Sequence, residues 1–207
     1  MSKQEKETTV SKSSRWIFGT MLAFGIVGLL VSFILANEEI HLMKNPGAVL
    51  SCSINIVLNC STVMQSWQAS AFGFPNMFIG LMGYPVVITT AVVALAGLAG
   101  KLPRWYWRAA TVCYGLGALF AYWLFFNSVY VIQVLCPWCL VITFSTTILL
   151  STILHYSLRE NIFAFKDNVN NHVQSFLKKD YGKFATAAWI ILLIALVIIK
   201  FGDSLFA

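Results

Sequence analysis

Residues 134–154 have the sequence VLCPWCLVITFSTTILLSTIL, an apolar run without a charged side chain. A bilayer core about 30 Å thick is crossed by about 20 helical residues, because each residue adds about 1.5 Å. The run is therefore long enough to span a membrane. It also carries Cys136 and Cys139 near its start, separated by Pro137 and Trp138. The stretch predicts a transmembrane helix with a dithiol pair near one end.

The composition of the chain extends this prediction to the whole protein. Hydrophobic residues make up 58% of the 207 residues and charged residues only 11%, whereas soluble domains have about 25% charged residues. Four further stretches are apolar enough to span a bilayer, the last being slightly short: 16–36, 78–100, 109–130 and 184–199. The sequence thus predicts an all-α membrane protein with five transmembrane helices.

The boundary between the third and fourth helices is the least marked. Residues 109–154 as one helix would be about 69 Å long, more than twice the bilayer core. The polar residues between the two runs are Asn127, Ser128 and Gln133. We therefore expect the chain to reverse within 127–133.

The positions of lysine and arginine predict the orientation. Twelve of the 14 lie in three segments, 1–15, 101–108 and 157–183, which five spans place on one side of the membrane. The positive-inside rule makes that side cytoplasmic. We expect a disordered cytoplasmic N-terminus at 1–15, a retained first anchor rather than a cleaved signal, and a cytoplasmic connector at 157–183. The net charge of +6 is then explained by topology and needs no nucleic acid.

The same topology gathers four cysteines on the outer side. Cys52 and Cys60 lie in the predicted outer loop 37–76, and Cys136 follows the outer turn by a few residues. Disulfides form and persist outside the cytosol. The loop that a CxxC disulfide closes is too short to stabilise a fold greatly. The start of a helix also favours the thiolate form of its first cysteine. We therefore interpret these cysteines as redox-active rather than as structural disulfides.

A zinc site is the weaker interpretation of these cysteines. Cys52 and Cys60 are eight residues apart rather than in a close knuckle, and His41, His155 and His172 are scattered along the chain. We therefore predict no metal site. Cys113 lies inside the third predicted span, where a free cysteine is interpreted as apolar packing.

Four sequence features occur together in this chain: Cys52-x7-Cys60, Ser66, the segment Phe74-Pro75-Asn76-Met77-Phe78-Ile79-Gly80, and Cys136-Pro137-Trp138-Cys139. In this combination they resemble the vitamin K epoxide reductase family, particularly its bacterial homologues. The resemblance covers about residues 16–156. It implies a four-helix catalytic domain around a quinone at 16–156, with 184–207 as an additional fifth helix and a short outer tail.

The resemblance also implies roles for individual residues. Cys52 accepts electrons from a partner, Cys60 attacks Cys136, and Cys139 lies next to a quinone, either menaquinone or ubiquinone. Asn76 hydrogen-bonds a quinone carbonyl, with helix capping as its alternative role, and Ser66 belongs to the loop that caps the pocket. Aromatic side chains available to the ring include Phe72, Phe78 and Trp138, although such residues also pack cores or line membrane interfaces.

One departure from the family pattern and the length of the chain narrow the activity and the partner that we expect. Vertebrate members carry a tyrosine four residues after the second active-site cysteine, where this chain has Thr143, so the resemblance implies quinone rather than epoxide reduction. Many bacterial homologues continue into a thioredoxin-like domain. This chain does not, so the expected partner is a separate thioredoxin-fold thiol oxidase of the periplasm or exterior, acting at the cytoplasmic (inner) membrane.

Two alternatives remain at this point. A second bacterial type of quinone-dependent disulfide oxidase places CxxC in its first outer loop, the reverse of the order in this chain. A membrane scaffold or small transporter with structural disulfides would have no redox role. Transporters use ionisable residues inside their spans, and the five predicted spans contain none away from their ends.

Overall fold

The computed structural model describes residues 12–45, 47, 50–164 and 181–205. Its helices are α1 (Lys12–Lys44), α2 (Cys60–Met64), α3 (Met77–Val93), α4 (Arg104–Phe126), α5 (Pro137–Arg159) and α6 (Tyr181–Leu205). In this part of the chain five helices are long and apolar enough to cross a membrane. The predicted all-α membrane fold with five spanning helices is therefore confirmed. The N-terminal residues 1–11, most of the connector (165–180) and residues 206–207 lie outside the described residues.

Four of the long helices form a bundle, and the fifth packs on its outside. α1 packs against α3 and α5, and α4 packs against α5. α6 packs against α5 from outside the bundle. α1 and α3 approach closely because Gly28 and Gly80 lack side chains, and a Cβ at Gly28 would overlap the ring of Tyr84. Small residues allow such close contact between helices where lipid supplies no hydrophobic driving force.

The reversal between the third and fourth spans falls within the predicted stretch 127–133, at its last residue. Helical structure continues past α4 as a π-helical segment, Asn127–Ile132, and the chain turns at Gln133, which has a left-handed φ of 58°. Asn127 donates to the carbonyl of Trp123 and Ser128 donates to the carbonyl of Val134. Because both polar side chains are satisfied by the backbone, they do not require an exposed loop. Gln133 ends the helix in the left-handed conformation that commonly closes helices.

The first helix also extends beyond its predicted end at residue 36. α1 continues to Lys44, into the stretch expected to belong to the outer loop. Leu42, near its end, is buried in the cluster that contains Leu50 and Cys52. Burial of Leu42 gives the extra turns a packed face, so the helix reaches the region of the cysteines.

Candidate active site

The site lies at one end of the bundle, where the outer segment meets the start of α5. Cys52 and Cys60 are joined by a disulfide, whereas Cys136 and Cys139 are free thiols. The Sγ atoms of Cys60 and Cys136 are 3.4 Å apart. A sulfur of the loop pair therefore touches a sulfur of the CxxC pair, although the two residues are 76 positions apart in sequence.

Local structure fixes the position of Cys60. Asn59 accepts a hydrogen bond from the backbone N–H of Thr62 and so caps α2, in which Cys60 is the first residue. The Asn59 side chain also accepts from the hydroxyl of Ser53. Both hydrogen bonds hold the loop in place, so Asn59 has a structural role beside the cysteine.

A short backbone bridge aligns the two partners. Leu135 donates its N–H to the carbonyl of Val57 at 2.7 Å, and Asn59 donates its N–H to the carbonyl of Leu135 at 3.0 Å. Leu58 and Leu135 form an isolated parallel bridge. Sequence reasoning missed this bridge. The available signal was that both contacting cysteines closely follow a Val-Leu pair, Val57-Leu58 and Val134-Leu135.

The CxxC pair occupies the first turn of α5. Pro137 is in the first turn of the helix, as its missing N–H predicts, and Cys136 is the N-terminal cap. The backbone N–H of Cys139 donates to the Sγ of Cys136 at 3.3 Å. Cys136 precedes the membrane-spanning part of α5, and a hydrogen bond from the Cys139 side chain, together with backbone N–H groups, lowers the pKa of its thiol. Cys136 is therefore the cysteine of this pair prepared to be a thiolate.

Three of the sulfur atoms are shielded from water. Cys60 is 0% exposed, Cys136 is 1% exposed and Cys52 is 4% exposed. Leu42 of α1 and Leu50 are buried in the same cluster. The side chain of Ser51 hydrogen-bonds the carboxylate of Glu38 and ties the segment before Cys52 to α1. Access to Cys52 from outside therefore requires the segment around Leu50 to move.

An apolar cavity of about 510 Å³ lies below the cysteines, inside the four-helix bundle. Its walls come from α1, α3, α4 and α5, and the segment 63–69 closes one end. Both Cys136 and Cys139 line it. The polar groups that face it are few and include Ser66, Asn76, Tyr84, Tyr114 and Thr143. A mostly apolar cavity with a few convergent polar groups is typical of a small-molecule site.

Asn76 is a residue of the cavity lining, and one atom of its side chain has no hydrogen-bond partner. Its Nδ2 donates to the carbonyl of Gln68 at 2.6 Å, and its Oδ1 is buried without a hydrogen-bond partner. Asn76 immediately precedes α3 but makes no side-chain capping bond, so the alternative capping role is not observed. A buried unpaired amide oxygen is unfavourable by about 1–3 kcal/mol, and a ligand hydroxyl would relieve that loss.

Only some of the other residues predicted for the site line the cavity. Ser66 lines the cavity and donates to the carbonyl of Val63. Phe72, Phe78 and Trp138 are not among the residues lining it, and Phe72 is 60% exposed and packs on Phe120. The interpretation of Cys113 as an apolar packing residue is wrong, because this residue is exposed and lines the cavity. Sequence periodicity alone could not separate the cavity wall from the core, because both are apolar.

Metal binding finds no support in the described part of the chain. Within it, no group of three or more His, Cys, Asp or Glu side chains is arranged to hold a metal ion.

Comparison with known proteins agrees with this geometry. The sequence model of the vitamin K epoxide reductase family matches residues 20–154, which include all four cysteines of the site and the four bundle helices apart from their outermost residues. A search of curated proteins found no match. On the family match, the chain belongs to the vitamin K epoxide reductase family, a family of multi-pass membrane thiol–disulfide oxidoreductases.

Proposed function

We propose that this protein passes electrons from an outer thiol protein to a lipid quinone and thereby generates disulfides for oxidative folding. The observation that carries the proposal is the 3.4 Å contact between Cys60 and Cys136 at the mouth of the apolar cavity. Thiol–disulfide exchange requires a thiolate to reach a sulfur of the other pair. The contact supplies that approach between a loop pair and a membrane pair.

The proposed exchange moves two electrons inward. A dithiol partner attacks Cys52, breaks the Cys52–Cys60 bond and leaves as a disulfide, so both loop cysteines become thiols. The Cys60 thiolate then attacks Cys136 and breaks a Cys136–Cys139 disulfide, releasing the Cys139 thiolate. Cys52 next attacks Cys60, which restores the loop disulfide and releases Cys136 as a thiolate. The net result is a reduced CxxC pair and an oxidised loop pair.

The arrangement of bonds in the structure corresponds to the end of this exchange. The loop pair is a disulfide, and Cys136 and Cys139 are thiols. The hydrogen bonds that lower the pKa of Cys136 stabilise it as the leaving thiolate of the last step. In this state the electrons reside on the pair that lines the cavity.

The residues of the cavity fit a quinone. The cavity is apolar, both thiols lie on its wall, and the unpartnered Oδ1 of Asn76 can accept a hydrogen bond from a quinol hydroxyl. When bound, a quinone would accept two electrons and two protons and leave Cys136 and Cys139 as a disulfide. Asn76 would orient the ring, and the segment that carries Ser66 would exclude water from that end.

The partner and the sidedness are part of the proposal. The distribution of lysine and arginine supports a cytoplasmic membrane in which the cysteine end faces outward. Lys101 and Arg104 follow α3, Arg159 ends α5, and Arg108 donates to the carbonyl of Ile162, so these cations lie at the end opposite the cysteines. We propose a thioredoxin-fold thiol protein of the outer compartment as the electron donor to Cys52.

A trapping experiment tests the route. In the Cys60→Ala variant the Cys52 thiolate attacks the disulfide of an oxidised partner and releases one partner thiolate. Because Cys60 is absent and cannot displace the partner from Cys52, a mixed disulfide is expected to accumulate. The protein is purified from cells after acid quenching, and the cross-linked cysteine is identified by mass spectrometry. The matched control is the double variant Cys52→Ala, Cys60→Ala, which is expected to trap nothing. A partner bound at Cys139, or equal trapping in both variants, would overturn the proposed entry at Cys52.

A further inference from the structure

α6 lies beyond residue 154, where the family match ends, yet one face of it is buried beside the candidate site. Leu193, Val197 and Phe201 are at most 9% exposed. They belong to a cluster with Phe125, Val129 and Leu135, and Val57 and Leu58 pack against that cluster. α6 therefore belongs to the same buried cluster as Leu135, which forms one side of the backbone bridge that aligns the cysteines.

Leu135 connects this cluster to the sulfur contact. Its side chain is 1% exposed within the cluster. Its backbone makes both bonds of the bridge, to Val57 and from Asn59. Cys136 and Cys60 are the next residues after Leu135 and Asn59, so a shift of Leu135 changes the distance between the two Sγ atoms directly.

Hydrogen bonds set the rotation of α6 on the bundle. The indole N–H of Trp189 donates to the hydroxyl of Tyr122 at 3.1 Å, and Tyr122 is 2.8 Å from the hydroxyl of Thr147. Nearer the start of α6, the hydroxyls of Thr186 and Ser151 are 2.6 Å apart. Polar contacts between helices inside a bilayer are specific because lipid offers no alternative partner. They fix the rotation in which residues 193, 197 and 201 face the buried cluster.

We propose that α6 is a positioning element for thiol exchange. Its face formed by Leu193, Val197 and Phe201 holds Leu135 against Val57 and Leu58, and so keeps Cys60 in reach of Cys136. Leu135 is the positioning residue through which α6 acts. This inference rests on the exchange between Cys60 and Cys136 in the proposed function. It assigns a role in the site to a helix outside the family match.

The test measures how fast Cys60 and Cys136 bond to each other in the full chain. In a background with Cys52→Ser, Cys113→Ser and Cys139→Ser, diamide takes two electrons and two protons from the remaining thiols and leaves a Cys60–Cys136 disulfide. Leu193→Ala is expected to slow this reaction about tenfold or more, because a misplacement of about 1 Å can reduce a rate by up to about a hundredfold. Val197→Ala, a smaller truncation, is expected to slow it less.

Matched controls come from the opposite face of the same helix. Ile191 and Ile199 are 65% and 81% exposed in the bundle and do not belong to the buried cluster. Ile191→Ala and Ile199→Ala are expected to leave the rate within about twofold, since neither changes the sulfur geometry. Leu193→Met, which keeps the volume, is expected to restore most of the rate.

The outcomes separate positioning from loss of fold and from failure of the proposed function. Each variant is assayed well below its measured thermal midpoint. Equal cross-linking rates for Leu193→Ala and Ile191→Ala would overturn the inference, as would slowing that Leu193→Met does not restore. Quinone reduction by the unaltered protein is measured separately. If that activity is absent while cross-linking still depends on Leu193, the proposed function fails and the positioning role stands.

Discussion

The two cysteine pairs lie in contact but in different surroundings. Cys52–Cys60 is a disulfide in a loop held by polar bonds, including those from Ser53 and Thr62 to Asn59. Cys136 and Cys139 are thiols in the first turn of a helix, on the wall of an apolar cavity. In the proposed function the loop pair exchanges with thiols of an outer protein, and the helix pair exchanges with a lipid-soluble acceptor. One sulfur contact joins the two environments, and the following predictions test that division.

The largest effect is expected at the pair on the cavity wall. Cys136→Ala and Cys139→Ala each remove one of the two sulfurs that must form a disulfide when electrons leave, so each should abolish quinone reduction with any donor. The measurement is quinol formation by the purified protein in lipid nanodiscs. Ile199→Ala is the control, because Ile199 is 81% exposed on α6 and does not line the cavity. Substantial activity in the Cys139→Ala variant would contradict the assignment.

The next prediction separates the two pairs by donor. Cys52→Ala should block turnover with a protein dithiol, because the entry point is lost, yet spare reduction by a small dithiol that can act directly on the CxxC pair. Rates with reduced thioredoxin and with dithiothreitol are compared in the same preparation. Equal loss with both donors would show that the loop pair is not a separate relay.

A smaller effect is expected at Asn76, on the cavity side. Asn76→Ala removes the buried amide and should raise KM for quinone about fivefold, since a hydrogen bond in a buried site contributes on the order of 1 kcal/mol. Cross-linking between Cys60 and Cys136 should not change. Asn127→Ala is the control, because Asn127 does not line the cavity and donates to the carbonyl of Trp123 in its own helix. An unchanged KM would remove Asn76 from the quinone site.

The smallest effect is a change in the pH at which Cys136 ionises. The hydrogen bond from Cys139 is the main cause of the lowered pKa of Cys136. Cys139→Ala removes that donor, so the thiolate should appear at higher pH than in the parent protein. The ultraviolet absorbance of the thiolate is followed across pH in a Cys113→Ala background, with the loop disulfide intact. An inflection that stays in place or moves to lower pH would show that the Cys139 thiol does not lower the pKa of Cys136.

The sequence predicted the spanning helices well because they follow from hydrophobic length alone. All five runs appear as helices, and their ends differ for local reasons. α1 extends because Leu42 finds a buried contact, and the π-helical segment 127–132 persists because Asn127 and Ser128 are satisfied within it. Neither contact can be inferred from hydropathy, which measures transfer into lipid and not the partners of a side chain.

The sequence predicted which residues belong to the candidate site more completely than it predicted their arrangement in space. Spacing and resemblance identified the four cysteines, Asn76 and Ser66, all of which lie at the cysteine end of the bundle or on the cavity wall. The aromatic residues Phe72, Phe78 and Trp138 remain predictions, and the wall near them is formed by other residues. The sequence does not indicate whether an aromatic side chain on a helix faces a cavity, the lipid or the protein core.

The sequence by itself determined the class of this protein. Apolar runs of membrane length require helices, because a backbone in lipid must satisfy its own hydrogen bonds, and the motif Cys136-Pro137-Trp138-Cys139 fixed where the thiols sit on one of them. The tertiary structure decided which sulfurs meet, that the Oδ1 atom of Asn76 stays unpaired, and which face of α6 is buried in the cluster of Leu135. These three features depend on contacts between residues far apart in the chain. The packing of the folded helices sets such contacts, and the sequence around each residue does not encode them.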